Sequence, residues 1–294
     1  MRGIGLTLVL FGLTGCAAAP PQPPSPAVPT APTQAQAALT PAVPAPATQP
    51  APVAAVVPFV LHLPGVSGTS IIDICLRDGL RAGGFEGPME IYDWTCHDPG
   101  IPALHARARN EEQAQIVADR ITKQYRAHPE QPIYLTCHSG GSGPATWALE
   151  KLPPDVKVAC FVLLAPALSP TYDLSKAMAH VSVNAFCFYS HDDDLVLGTG
   201  TKLFGTIDGV QCDAAGRIGF EKPADADATL YAKLVQQPYQ AAWAKYGHVG
   251  GHIGCMSTPF VRAIVAPIMF GRPAPADVLN TAVPQQLPDV LWPK

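Results

Sequence analysis

The sequence predicts an α/β fold, a mostly parallel central sheet with helices on both faces. Three observations predict it. Short runs at 59–63, 133–135, 156–165 and 183–189 are predominantly apolar rather than alternating, the mark of strands buried on both faces. The stretches between them have helical spacing or helix-forming composition, as at 70–82, 110–127 and 145–152. Glycine-rich turns follow several of the apolar runs, and in an open parallel sheet binding sites form at those carboxyl ends.

The order of elements starts well inside the chain. Residues 1–15 carry one positive charge at Arg2, an apolar run from Ile4 to Leu13 and no acid, which is the pattern of a signal peptide too short to span a bilayer. Leu13-Thr14-Gly15-Cys16 resembles the lipobox of bacterial lipoproteins, which implies cleavage before Cys16, lipidation of that cysteine and a lipid-anchored protein of the cell envelope. From Ala17 to Val57 there is no charged residue, and proline and alanine dominate. A segment of residues 16–57 with that composition reads as a polyproline-like disordered tether, whose reach at about 3.1 Å per residue is on the order of 120 Å. Residues 58–294 form the expected single folded domain.

Composition narrows the function classes. The formal net charge of −4 and the scattered Lys and Arg residues, never interleaved with aromatics, argue against a nucleic-acid surface. Of the eight cysteines, Cys16 belongs to the leader, and Cys137, Cys160 and Cys187 lie in apolar strand-like runs as small buried hydrophobes. Cys75, Cys96, Cys212 and Cys255 are the ones able to supply disulfides in an oxidising compartment, with no pairing readable. No Cys-x-x-Cys occurs, and neither a P-loop nor a dinucleotide fingerprint follows the first strand, so no metal and no cofactor is expected.

Within the domain, 59–63 is the first strand, 70–82 an amphipathic helix, 89–94 a second strand and 110–127 a helix with Ala114, Ile116, Val117, Ile121 and Tyr125 at helical spacing. Next comes Leu135-Thr136-Cys137-His138-Ser139-Gly140-Gly141-Ser142-Gly143, where an apolar strand stops at a serine, glycines follow and a helix begins. A serine on a sharp strand-to-helix turn is strained, exposed to a reactant and close to a helix N-terminus that favours developing negative charge. A polar Gly-Ser turn is the plainer alternative. The segment resembles the Gly-x-Ser-x-Gly nucleophile elbow of α/β-hydrolases, with Cys137 in place of the first glycine.

That resemblance implies a serine hydrolase of esterase or lipase type, and it directs attention to three more strand ends. Leu63-Pro64-Gly65-Val66-Ser67-Gly68 follows the first strand, where the family places one oxyanion donor; the residue after the nucleophile gives the other, hence Val66 and Gly140. Ser190-His191-Asp192-Asp193-Asp194 follows the strand at 183–189; Asp193 is the expected acid, Asp194 its competitor, and a solvated loop or Ca²⁺ cluster the alternative. Gly247-His248-Val249-Gly250-Gly251-His252-Ile253-Gly254 precedes an apolar helix at 258–268; His252 is the expected base and His248 the second choice. The order Ser139, Asp193, His252 is the α/β-hydrolase order. The expected reaction is cleavage of a small-molecule or lipid ester through an acyl-enzyme. An acyltransferase and a silent binding module share these parts; the residues at 197–220, between acid and histidine, are either a lining of the acyl pocket or a loop with no functional role.

Overall fold

The computed structural model describes residues 57–275. The leader, Cys16 and the tether lie outside the described residues.

Six strands form one sheet: β1 (Phe59–Leu63), β2 (Met89–Ile91), β3 (Ile133–His138), β4 (Val158–Leu164), β5 (Val181–Tyr189) and β6 (Leu234–Pro238). Every neighbouring pair is parallel, and the order across the sheet is β2-β1-β3-β4-β5-β6. β3 and β4 are buried at every position, which is why their sequences do not alternate. The sheet is therefore entirely parallel, and β6, whose polar Gln236 and Gln237 hid it in the sequence, is its sixth strand.

Helices cover both faces. On one side lie α1 (Ile71–Ala82) and a C-terminal helical segment running from Thr258 through Met269, packed on Val60, Val162, Phe186 and Phe188. On the other lie α2 (Ile101–His105), α3 (Arg107–Ala127), α4 (Ser142–Glu150) and α5 (Ser175–Ala179), packed on Leu61, Leu135, Phe161 and Leu163. Residues adjacent along a strand point to opposite layers, so Leu61 and Val60 belong to different cores. α1 begins at Ser70, whose backbone N–H and hydroxyl both donate to Asp73 Oδ2, at 2.7 and 2.9 Å.

The cysteine expectation is corrected. All seven described cysteines are free thiols, including Cys75, Cys96, Cys212 and Cys255. Those four sit on separate elements: α1, the loop after β2, the segment beyond β5 and the turn following His252. Cys255 is itself a core residue, its thiol 3.6 Å from the His252 carbonyl oxygen.

Candidate active site

The site is built where β1, β3 and β5 end. At the end of β3 the chain turns so sharply that Ser139 takes a left-handed φ of 51°, a conformation that is costly for a side chain with Cβ. A tight helical turn over Ser139–Gly141 then leads into α4. The turn is held by close packing. A Cβ on Gly141 would stand 2.3 Å from the Pro64 carbonyl oxygen and 2.6 Å from that of Leu63, so only glycine lets the β1 loop lie against the elbow. Cys137, at the position where the motif has its first glycine, is small enough to stay buried, its Sγ 3.7 Å from the Val162 carbonyl oxygen. Ser142 is also buried, and its Oγ accepts the Ala167 N–H at 3.1 Å; the same N–H reaches the Ser139 carbonyl at 3.0 Å.

The β1 loop presents Val66 to this turn. A Cβ on Gly140 would fall 2.3 Å from Val66 Cγ1 and 3.5 Å from Val66 N, so the two expected donors are neighbours. Among the described residues no acceptor takes the Val66 N–H. The loop is fixed from behind. Trp94 Nε1 donates to the Pro64 carbonyl at 2.7 Å, Gly100 N donates to the Val66 carbonyl at 2.7 Å, and Gly68 N closes a turn onto Gly65. Cys96, considered in the sequence only as a disulfide candidate, and His97, not singled out there, adopt left-handed φ values of 56° and 61° in the supporting loop. Histidine is among the residue types enriched at positive φ, whereas cysteine carries no such signal.

β5 delivers the acid. Asp193 is 3% exposed and caps the wide helical turn Asp194–Gly200 by accepting the Leu197 N–H at 3.3 Å through Oδ1. Its Oδ2 accepts from His252 Nδ1 at 2.6 Å. That bond fixes the tautomer, leaving Nε2 as acceptor for the Ser139 hydroxyl at 2.9 Å. Ser139, His252 and Asp193 are thus joined by two consecutive hydrogen bonds. Asp194 points away, 74% exposed and paired with Arg217. His248 is also elsewhere: it is buried among Tyr239, Trp243 and Phe260, and its Nδ1 accepts the Gly250 N–H at 3.2 Å. Burial pulls its pKa down to about 4, partly offset by Asp193, so it is a neutral core ring at neutral pH.

Exposed apolar side chains occur on the segments that carry the site residues. Leu195 and Val196 follow the acid, Val249 and Ile253 flank His252, and Ile71 and Ile101 stand near the Val66 loop, all of them exposed. The segment between acid and histidine is tied to the β4 loop: Ile207 N donates to the Ala167 carbonyl, Ala215 N to that of Leu168 and Gly216 N to that of Pro166. No group of three or more potential metal-ligating side chains occurs among the described residues.

An all-parallel sheet with helices on both faces, a serine in a left-handed turn after β3, and an acid and a histidine after later strands define an α/β-hydrolase-like fold. No protein-family profile and no curated protein matches the chain. Among solved structures it is similar to Aspergillus fumigatus lipase B, with 13% identity, a TM-score of 0.42 and coverage of 73% of this chain and 52% of that one, so it spans about half the lipase's length. It is also similar to esterase PE8, with 17% identity, a TM-score of 0.38 and coverage of 74% and 96% of the two chains. A cutinase-like protein from Cryptococcus sp. matches at 15% identity with a TM-score of 0.36, covering 72% and 93%.

Proposed function

We propose that this chain is a serine hydrolase that cleaves a carboxylic ester. The observation that carries the reading is the pair of hydrogen bonds from Ser139 Oγ to His252 Nε2 and from His252 Nδ1 to Asp193 Oδ2, beside a Val66 N–H that no acceptor takes among the described residues. Ser139 Oγ attacks the ester carbonyl while His252 Nε2 takes its proton. The oxyanion forms where the Val66 and Gly140 N–H groups and the start of α4 meet, which offsets its charge without reorganisation. Asp193 supports the imidazolium. His252 then gives the proton to the departing alkoxide, and in the second half it activates water to release the acid from Ser139. The exposed apolar side chains on the segments that carry Asp193 and His252 favour an ester whose acyl or alcohol part is apolar.

The experiment is labelling with an activated fluorophosphonate, read by peptide mass spectrometry, together with hydrolysis of p-nitrophenyl butyrate. Label at Ser139 alone, and loss of label and turnover in Ser139→Ala, supports the reading. Label elsewhere, or turnover that survives Ser139→Ala, overturns it. Turnover confined to acyl transfer onto an added alcohol makes the protein an acyltransferase, and no turnover of any activated ester makes it a binding module.

We further propose export as a lipoprotein of the bacterial envelope anchored through Cys16, on the strength of the Leu13-Thr14-Gly15-Cys16 motif and the uncharged tether. The mass of the mature N-terminus decides this. Lipidated Cys16, absent in Cys16→Ser, is expected; an unmodified N-terminus beginning elsewhere refutes it.

A further inference from the structure

His138 closes β3 and directly precedes Ser139, yet neither hydrogen bond of the proposed triad uses it. Its side chain lies on the face of β3 that carries Tyr134 and Thr136, and it is 2% exposed. Its Nε2–H donates to the His252 carbonyl oxygen at 3.2 Å, and the carbonyl fixes the tautomer. Nδ1 is then a bare acceptor, buried with no partner among the described residues. A phenylalanine or leucine would fill the same core position without stranding that nitrogen, so packing alone does not call for histidine here. The ring also meets its neighbours closely. Its centroid is 4.8 Å from that of His252 at an interplanar angle of 43°, and a Cβ on Gly65 would stand 3.2 Å from Nδ1 and 3.3 Å from Ser139 Cβ. His138 is therefore wedged between the β1 loop, the elbow and the loop that carries His252.

The ring is uncharged. Burial, and then the proximity of His252, pull its pKa down to about 3; His62 and Asp73, hydrogen-bonded to each other on the same side of the sheet, are the other titratable groups close enough to act on it. A neutral aromatic ring beside an imidazole that becomes positive during acylation is attractive rather than repulsive.

We propose that His138 is a positioning residue: independently of Asp193, it holds the His252 imidazole at Ser139 by a hydrogen bond to the His252 backbone and by ring contact. The proposal rests on the Ser139–His252–Asp193 reading of the site. Three variants of the full chain separate its two contacts: H138Q keeps a side-chain N–H and loses the ring, H138F keeps a ring and loses the donor, and H138A loses both. Turnover of p-nitrophenyl butyrate gives kcat and KM, and thermal melts report folding. A kcat loss of about fivefold is expected in each of H138Q and H138F, the effect of one ordinary hydrogen bond or one ring–cation contact, and about twenty-five-fold in H138A, with KM unchanged. Unchanged kcat in all three with a lowered Tm overturns the proposal and leaves His138 as core packing. A raised KM at unchanged kcat also overturns it, assigning His138 to substrate contact. If H138A does not fold, the two near-isosteric variants decide. Turnover that survives Ser139→Ala is a different failure, that of the nucleophile assignment.

Discussion

Replacing Asp193 by asparagine tests the acid at the point where geometry and magnitude are both defined. The carboxylate is buried, its Oδ2 lies 2.6 Å from His252 Nδ1 and its Oδ1 is engaged by the Leu197 N–H. An amide of the same shape keeps the cap on Leu197, so the fold should persist. It removes the negative charge beside the imidazolium and permits the tautomer with the proton on Nε2, which cannot accept from Ser139. Losses of this kind in serine-triad enzymes run to about ten-thousand-fold in kcat, or about 5.5 kcal/mol of transition-state stabilisation. Asp194→Asn is the internal control. Its carboxylate is 74% exposed and bound to Arg217, an ion pair worth about 1 kcal/mol at most, so turnover should be unchanged and Tm should fall by less than about 4 °C. The assay is steady-state hydrolysis of p-nitrophenyl butyrate by both variants, with Tm measured in parallel. A larger loss in Asp194→Asn transfers the role to that residue. Small and equal losses refute the reasoning altogether and make the acidic run a solvated loop.

Gly141→Ala should lower both Tm and kcat, the latter by about a hundredfold, because a methyl placed 2.3 Å and 2.6 Å from two backbone carbonyls must push the Val66 loop off the elbow; near-wild-type values in both assays would exclude that coupling. Ser142→Ala should leave fluorophosphonate labelling intact while costing about 1 kcal/mol in denaturant unfolding, since its Oγ serves only to hold Ala167; lost labelling would move Ser142 into the chemistry. His248→Phe should retain turnover, in contrast to His252→Ala. Folding should also weaken in acid. His248 and His138 titrate near 4 and 3 in the fold against 6.5 for an ordinary histidine, so the unfolded chain takes up protons first. Their contribution is complete above about pH 7 and is lost as pH falls from about 6.5 through those values. Urea midpoints from pH 7.5 to pH 4 should fall accordingly and fall less in His248→Phe; a midpoint independent of pH over that range would contradict the burial of both rings as neutral groups.

The fold was legible because a parallel sheet forces its signature on the sequence: β3 and β4 are buried on both faces and are predominantly apolar. Ser139 and His252 drew attention as candidates because they stand beside glycines, and Asp193 because it follows β5; the structure brings these three side chains together, while Asp194 pairs with Arg217 and His248 lies among aromatic rings. Element ends moved by a few residues, as with the second strand, which stops at Ile91 rather than at Trp94. β6 was illegible because an edge strand is half-wetted and carries two glutamines. The free state of Cys75, Cys96, Cys212 and Cys255 depends on which elements end up adjacent, a long-range outcome that local composition does not encode. His138 carried no signal beyond its place in the motif, since a polar ring meeting a backbone carbonyl 114 residues away in sequence leaves no periodic trace.

The two margins of the sheet bear on how this protein behaves when crowded. A bare strand flank is a template on which another copy can add its own strand. β2 is only three residues long, too short to offer a sustained row of donors and acceptors. β6 is longer, but it ends at Pro238, which has no N–H to offer, and its Gln236 side chain is engaged with the N–H and the carbonyl of Phe220, at 2.6 and 2.8 Å. A three-residue margin on one side and a proline-ended margin on the other make both edges poor templates for a strand added by another copy.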